Sequence, residues 1–266
     1  MLPDPCPLRQ AQSVALPLAP DEYTRDELKR FGLTLLQPKQ GYRFTLDPLL
    51  LCDFAGAGNE KTIADLGTGC GVMALILARQ ALYAQVTAFE QDQQAVGLAQ
   101  ENARLNGLDG RVGVQHRDIL QVRQSLPVSS CDLVVSNPPY RKQGRGRLNP
   151  HPGRLAARHE TSAGLADFLA AAKYLVKPAG RICMVYHTSR LPEFMAVAEH
   201  QKMAVTRLRM VHGLPDAEAK VFLVELAKGR RQVSTQVLPP LVVRLSVDRY
   251  TDEIQQMLSG YSNVQL

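Results

Sequence analysis

The sequence predicts an α/β fold, a Rossmann-like seven-stranded sheet, mostly parallel and doubly wound, that ends in an antiparallel hairpin. Two observations predict it. From Thr62 onward, short runs rich in β-branched residues alternate with helical stretches, the order that builds a parallel sheet with helices on both faces. The first of these runs closes on a turn with three alternating glycines, Asp65-Leu-Gly-Thr-Gly-Cys-Gly71, and such a turn lets a strand feed a helix beside a bound ligand. The length agrees, since 266 residues suit one such domain with modest extensions.

The elements follow in chain order. Residues 1–30 carry prolines at 3, 5, 7, 17 and 20 and read as a loosely ordered tail. Residues 31–232 read as the catalytic domain, including an N-terminal cap helix, and 233–266 as an extension packed on it. Thr62–Gly67 is a first strand and Val72–Arg79 a helix apolar all round. Gln85–Glu90 is a second strand. A helix then runs from an N-cap at Asp92 to a stop at Gly107. Val112–Gln115 and Cys131–Ser136 are the third and fourth strands, the latter ended by an Asn-Pro-Pro run that no helix continues through. The segment from Arg141 to Glu160 has glycines, prolines and no apolar period, so it is a long loop. Leu165, Phe168, Leu169, Ala172 and Leu175 mark one face of a helix that ends before Pro178 and Gly180. Arg181–Tyr186 is a fifth strand and Pro192–Gln201 a helix, and Val205–Val211 with Lys220–Leu226 forms the hairpin. In such a sheet the ligand crevice lies beyond the ends of the first and fourth strands, where the winding reverses.

Composition narrows the classes of function. No apolar run approaches the roughly 20 residues of a membrane span, and the N-terminus lacks a basic region followed by an apolar stretch. The cytoplasm is the expected location. The five cysteines never form Cys-x-x-Cys, and the six histidines show no metal-ligand spacing, so neither a disulfide framework nor a metal is expected. The sequence carries no signal for an oligomeric state. Its net charge of +6 is concentrated: Arg141, Lys142, Arg145, Arg147, Arg154 and Arg158 face the single acid Glu160 within one segment. That cluster points to a polyanionic partner, RNA, with a solvated loop as the plainer alternative.

The glycine turn is the first half of a candidate site. Gly67, Gly69 and Gly71 allow a sharp turn and close approach of a ligand. Glu90, followed by Gln91, ends the second strand 19 residues past Gly71, and a carboxylate there accepts hydrogen bonds from a ribose diol. Nicotinamide binders share this much. The Gly-x-Gly-x-Gly spacing departs from theirs, however, and acids at Asp65, Glu90 and Asp118 suit a sulfonium and an ammonium better than a pyrophosphate. Asp118 is a candidate acceptor for a cofactor adenine amine, with the Ile119 N–H beside it; its alternative role is a helix N-cap.

Asn137-Pro-Pro-Tyr140 is the second half. The Asn137 side-chain oxygen accepts one N–H of an amino group, and the Pro138 carbonyl, held rigidly by the Pro138 and Pro139 rings, accepts the second. Tyr140 offers a flat face for a base. Two acceptors on one amino group orient its nitrogen, so positioning supplies the catalysis. The plainer alternative is a structural turn, for which Asn-Pro is ordinary chemistry.

Taken together, Asp65–Gly71 and Asn137–Tyr140 resemble the class I methyltransferases that modify amino nitrogens. Gln37-Pro-Lys-Gln-Gly-Tyr-Arg-Phe-Thr-Leu-Asp-Pro-Leu-Leu-Leu51 resembles, more narrowly, the N-terminal motif of the bacterial tRNA1(Val) (adenine(37)-N6)-methyltransferase family. The loop with Arg145 and Arg147 leading to Ala157-Arg-His-Glu160, the Lys177-Pro-Ala-Gly180 turn and Tyr250-Thr-Asp-Glu253 are similar to that family too, so the resemblance spans about Leu33 to Ile254. It implies S-adenosyl-L-methionine as cofactor, tRNA as substrate, adenine N6 as acceptor, and Arg43, Phe44 and Asp47 near the cofactor. For Arg43 the residues leave two roles open, pairing with the methionine carboxylate or a structural ion pair; for Arg158-His-Glu160 a loop-closing ion pair is the alternative. Two other readings compete: a protein glutamine-N5 methyltransferase, which needs the same tetrapeptide, and a non-catalytic RNA-binding protein that keeps the fold.

Overall fold

The structure is a computed structural model, and it describes residues 20–40, 43–139, 163–229, 234–259 and 261–262. The chain opens with a hairpin, β1 (Tyr23–Leu28) and β2 (Leu33–Pro38), whose turn uses a left-handed Gly32. Helix α1 (Asp47–Ala55) precedes β3 (Thr62–Leu66), α2 (Val72–Gln80), β4 (Gln85–Glu90), α3 (Gln93–Leu105) and β5 (Val112–His116). Then come β6 (Cys131–Ser136), α4 (Leu165–Leu175), β7 (Val176–His187), α5 (Leu191–His200), β8 (Met203–His212) and β9 (Ala219–Lys228). The C-terminal part adds the short strands β10 (Gln236–Val237), β11 (Leu241–Val242), β12 (Arg244–Ser246) and β13 (Arg249–Tyr250), followed by α6 (Asp252–Met257) and β14 (Tyr261–Ser262).

The main sheet runs β5-β4-β3-β6-β7-β9-β8, with β10 and β11 added along β8. β3 to β7 pair in parallel, whereas β9 is antiparallel to both neighbours. This is the expected seven-stranded doubly wound sheet with its terminal hairpin, extended by two short strands. The order reverses between β3 and β6, so the crevice falls where it was expected.

Alternation along the strands supplies two cores. Leu133, Val135, Cys183 and Val185 face α1, α2 and the hairpin, while Val134, Ile182 and Met184 face α4 and α5; period-2 geometry sends successive side chains to opposite faces. Between β6 and β7 the register shifts, and Gly180 sits in that irregularity. A Cβ there would lie 2.7 Å from the Asp132 carbonyl oxygen and 2.8 Å from Val176 Cγ2, which explains why the irregular start of β7, expected as a turn over Lys177–Gly180, needs glycine.

The expected boundary of the tail is corrected. Residues 23–28 form a strand paired along its whole length with 33–38, so ordered structure begins before residue 31; residues 1–19 lie outside the described residues. The hairpin closes over a buried polar knot. Asp26 and Gln37 are buried, Gln37 donates to Asp26, and Arg43 Nη2 donates to Asp26 Oδ2 at 2.8 Å. The extension packs back on the domain: Ile254, Met257 and Leu258 join the core of α1, and Arg209 pairs with Glu253 through two bonds of 2.7 and 2.9 Å.

Candidate active site

The register of two strands builds the site. Leu66 of β3 faces Ser136 of β6, and the Ser136 hydroxyl donates to the Leu66 carbonyl at 2.7 Å. Gly67 and Asn137 therefore leave neighbouring strands side by side. Both line one pocket, together with Thr68, Gly69 and Cys70 of the turn. Phe44 and Pro48 close it from before and within α1, and Val72 and Met73 from the start of α2.

The turn is held from several directions. The Gly67 and Thr68 N–H groups donate to the Phe89 carbonyl at 2.9 and 3.0 Å, and the Gly71 N–H donates to Thr68 at 3.0 Å. Gly71 adopts φ 88°, and a Cβ there would come within 3.2 Å of Ala99 Cβ. Glycine is required at this position by backbone and packing together. Glu90 accepts from Gly69 N at 2.9 Å through Oε2 and from Gln91 and Asp92 N–H at 2.9 and 3.0 Å through Oε1. Most of its acceptor capacity goes to backbone, with room for a ribose hydroxyl left mainly on Oε2.

Asp65 lies behind the turn, fully buried. Its Oδ2 accepts from the Thr68 hydroxyl at 2.6 Å, and no described atom meets Oδ1 in hydrogen-bonding geometry. Burial raises its carboxyl from 3.8 to about 7; the Thr68 hydroxyl and the Ala74 N–H oppose that rise, and the charge of Glu90 adds to it.

The other expected residues divide. Phe44 is a pocket wall, its N–H donating to Gln37 Oε1 at 3.0 Å. Arg43 forms the ion pair that was one of its two open roles: besides Asp26 it donates to Thr24 Oγ1 at 2.7 Å and the Pro38 carbonyl at 3.2 Å. Asp118 caps the turn that follows β5, Oδ1 accepting from Leu120 N–H at 2.9 Å, and Ile119 is buried behind it. Gln91 is exposed, and its carbonyl lies 3.0 Å from His116 Nε2. Pro138 is buried and Pro139 exposed. Tyr140 and the six cations Arg141, Lys142, Arg145, Arg147, Arg154 and Arg158 lie outside the described residues. Thr68, Pro48 and Met73 were not foreseen; Thr68 sits inside the glycine motif, where a hydroxyl three residues after an acid is the signal.

Among the described residues no cluster of three or more His, Cys, Asp or Glu forms a metal site, and no helix is long and apolar enough to cross a membrane. Cys52, Cys70, Cys131 and Cys183 are buried free thiols.

The model of the methyltransferase small domain family matches residues 47–206. A solved structure of a predicted O-methyltransferase from Agrobacterium tumefaciens shares the fold, with a TM-score of 0.64 at 20% identity over 80% of this chain and 96% of that one. The chain is thus a class I, S-adenosylmethionine-dependent methyltransferase of the methyltransferase small domain family. Among curated relatives, the tRNA1(Val) (adenine(37)-N6)-methyltransferase of Porphyromonas gingivalis is 32% identical over 74% of this chain and 78% of its own length. The protein of the same name from Aeromonas hydrophila is 30% identical over 81% and 88%. The chain belongs to the tRNA1(Val) (adenine(37)-N6)-methyltransferase family.

Proposed function

We propose that this chain methylates N6 of an adenine in RNA, that the RNA is a tRNA, and that the transfer occurs at Asn137-Pro-Pro-Tyr140. One observation carries the reading: Asn137 shares a pocket with the glycine turn. When bound, S-adenosylmethionine supplies an electrophilic methyl carbon. Gly67, Gly69 and Gly71 give it backbone, Asp65 and Glu90 give its cationic and ribose parts negative charge and acceptors, and Asp118 with the Ile119 N–H meets its adenine.

The substrate side follows from hydrogen-bond inventory. Asn137 Oδ1 accepts one N–H of the incoming amino group and the Pro138 carbonyl the other. With both hydrogens held, the nitrogen's remaining direction points into the pocket, so orientation does most of the work. The product amine sheds one proton to water without a strong base. Tyr140 stacks on the base, a contact worth about 1–3 kcal/mol, and the cations from Arg141 to Arg158 meet phosphates. The domain of this reading starts at the β1–β2 hairpin and runs through residue 232, with 233–266 as its packed extension. A tRNA substrate puts the working protein in the cytoplasm.

The test is transfer of labelled methyl into unmodified total tRNA and, in parallel, into purified release factors, followed by nucleoside analysis. N6-methyladenosine in the tRNA is the expected product. Label in glutamine of a release factor instead would overturn the assignment.

A further inference from the structure

Two asparagines at the end of α3 do something the reaction has not yet used. Asn102 and Asn106, the latter at the helix C-cap, lie one turn apart beside the edge of β2. Leu36 N–H donates to Asn102 Oδ1 at 2.7 Å, and Asn102 Nδ2 donates to the Leu36 carbonyl at 3.1 Å. Asn106 repeats the pattern on Thr34, with distances of 2.8 and 2.7 Å. Each amide takes the place of a neighbouring strand, and together they satisfy an edge that would otherwise expose its backbone groups.

The two differ in where the second amide hydrogen goes. Asn106 Nδ2 donates to the Asn102 carbonyl at 2.7 Å, within its own helix. Asn102 Nδ2 donates at 2.9 Å to the carbonyl of Cys70, a residue of the glycine turn. Asn102 is fully buried, and its side chain touches both bodies that wall the pocket. On one side is β2, whose next residue, Gln37, holds the Phe44 N–H at 3.0 Å. On the other is the turn itself, where Cys70 lines the pocket opposite Phe44.

We infer that Asn102 is a positioning residue for the cofactor: it fixes the spacing between the hairpin whose Gln37 holds the Phe44 N–H and the turn that carries Gly69 and Cys70. Asparagine suits the task because one amide offers an acceptor and two donors in a fixed plane. The inference rests on the glycine turn being the cofactor cradle. By linkage, a residue that sets the cradle's shape changes cofactor affinity, and the cofactor in turn stabilises that residue's bonds by the same factor.

The matched pair of variants Asn102→Ala and Asn106→Ala tests it. Both remove a clamp on β2, so both lower Tm. Only Asn102→Ala is expected to raise Kd and KM for S-adenosylmethionine, by about tenfold, while kcat at saturating cofactor stays within about twofold. Equal effects of the two variants on Kd, or an unchanged Kd in Asn102→Ala, would overturn the inference and leave the amide a structural clamp. Should Asn102→Ala fail to fold, amide exchange on the intact protein decides. Adding cofactor must protect the Leu36 N–H more than the Thr34 N–H, and equal protection refutes the coupling. Wild-type protein that binds no S-adenosylmethionine by calorimetry would instead strike at the reading of the turn, a result distinct from all of these.

Discussion

Titrating cofactor affinity against pH interrogates the charge behind the glycine turn. Asp65 is fully buried, and its carboxyl is raised from 3.8 to about 7, chiefly by that burial. Because the folded value is raised, the empty protein binds more protons than the unfolded chain between about pH 4 and 7. The stability so gained is complete below pH 4 and is lost as pH climbs through 7. A shift of roughly 3 units at 1.36 kcal/mol each sets a ceiling of about 4 kcal/mol on that loss. A ligand bearing an ammonium and a sulfonium prefers the ionised carboxylate, so binding draws the proton off. With only the ionised form competent, affinity is weaker by about tenfold at pH 6 and almost unaffected at pH 8. Calorimetric titration of S-adenosylmethionine from pH 5.5 to 8.5, in buffers of different ionisation enthalpy, measures both affinity and proton release. The ligand's own α-amino group titrates near about 7.7–8.0, so the informative quantity is the ratio of wild type to Asp65→Asn, in which that contribution cancels. The ratio should rise about tenfold from pH 6 to pH 8. A flat ratio would mean that the Asp65 charge never meets the cofactor.

Other outcomes follow from single contacts. Asn137→Ala is expected to cut transfer by about 10²–10³-fold in single-turnover assays while leaving cofactor Kd within about threefold; equal loss of both would show a misassigned residue. Gly180→Ala forces a Cβ to within 2.7 Å of the Asp132 carbonyl, and denaturant unfolding should show a loss of about 1–3 kcal/mol. Replacing Arg145 and Arg147 with glutamine should flatten the salt dependence of RNA affinity by about 0.7 in log–log slope per lost single-strand contact, read by filter binding across salt; an unchanged slope removes that segment from the interface.

How far the sequence reached depends on whether a signal is local. Strands β3 to β9 follow from short runs rich in β-branched residues between recognisable stops, and Asp92 caps α3 as its position suggests, accepting from Ala95 N–H at 2.9 Å. The glycine turn and Asn137 were legible because their chemistry is written in consecutive residues. The β1–β2 hairpin was not. Its inward positions include Asp26, which breaks the apolar alternation of β1. A buried aspartate becomes tolerable only once Gln37 and Arg43 arrive from farther along the chain. The same non-local pairing gives Arg43 its ion pair with Asp26, one of the two roles its residue type had left open. Asn102 and Asn106 left a trace that passed unread: asparagine is a poor helix former, and two of them one turn apart within a helix call for partners. The strands β10 and β11, two residues each, are too short for any period to register.

Sheet order also groups the acids around the glycine turn. Asp65, Glu90 and Asp118 stand on β3, at the end of β4 and just after β5, all on one side of the point where the winding reverses. Asn137 follows β6, on the other side. Strands about 4.8 Å apart put the end of β5 about 14 Å from β6, beyond the roughly 8 Å over which exposed charges interact at physiological salt. Asp118 therefore exerts little of its charge at Asn137. Asp65, only one strand from β6, escapes by a different route: it is buried, and with its carboxyl raised to about 7 it is partly protonated until a cationic ligand draws the proton away. The crossover that creates the crevice thus also sets Asp118 apart from the strand end that carries Asn137.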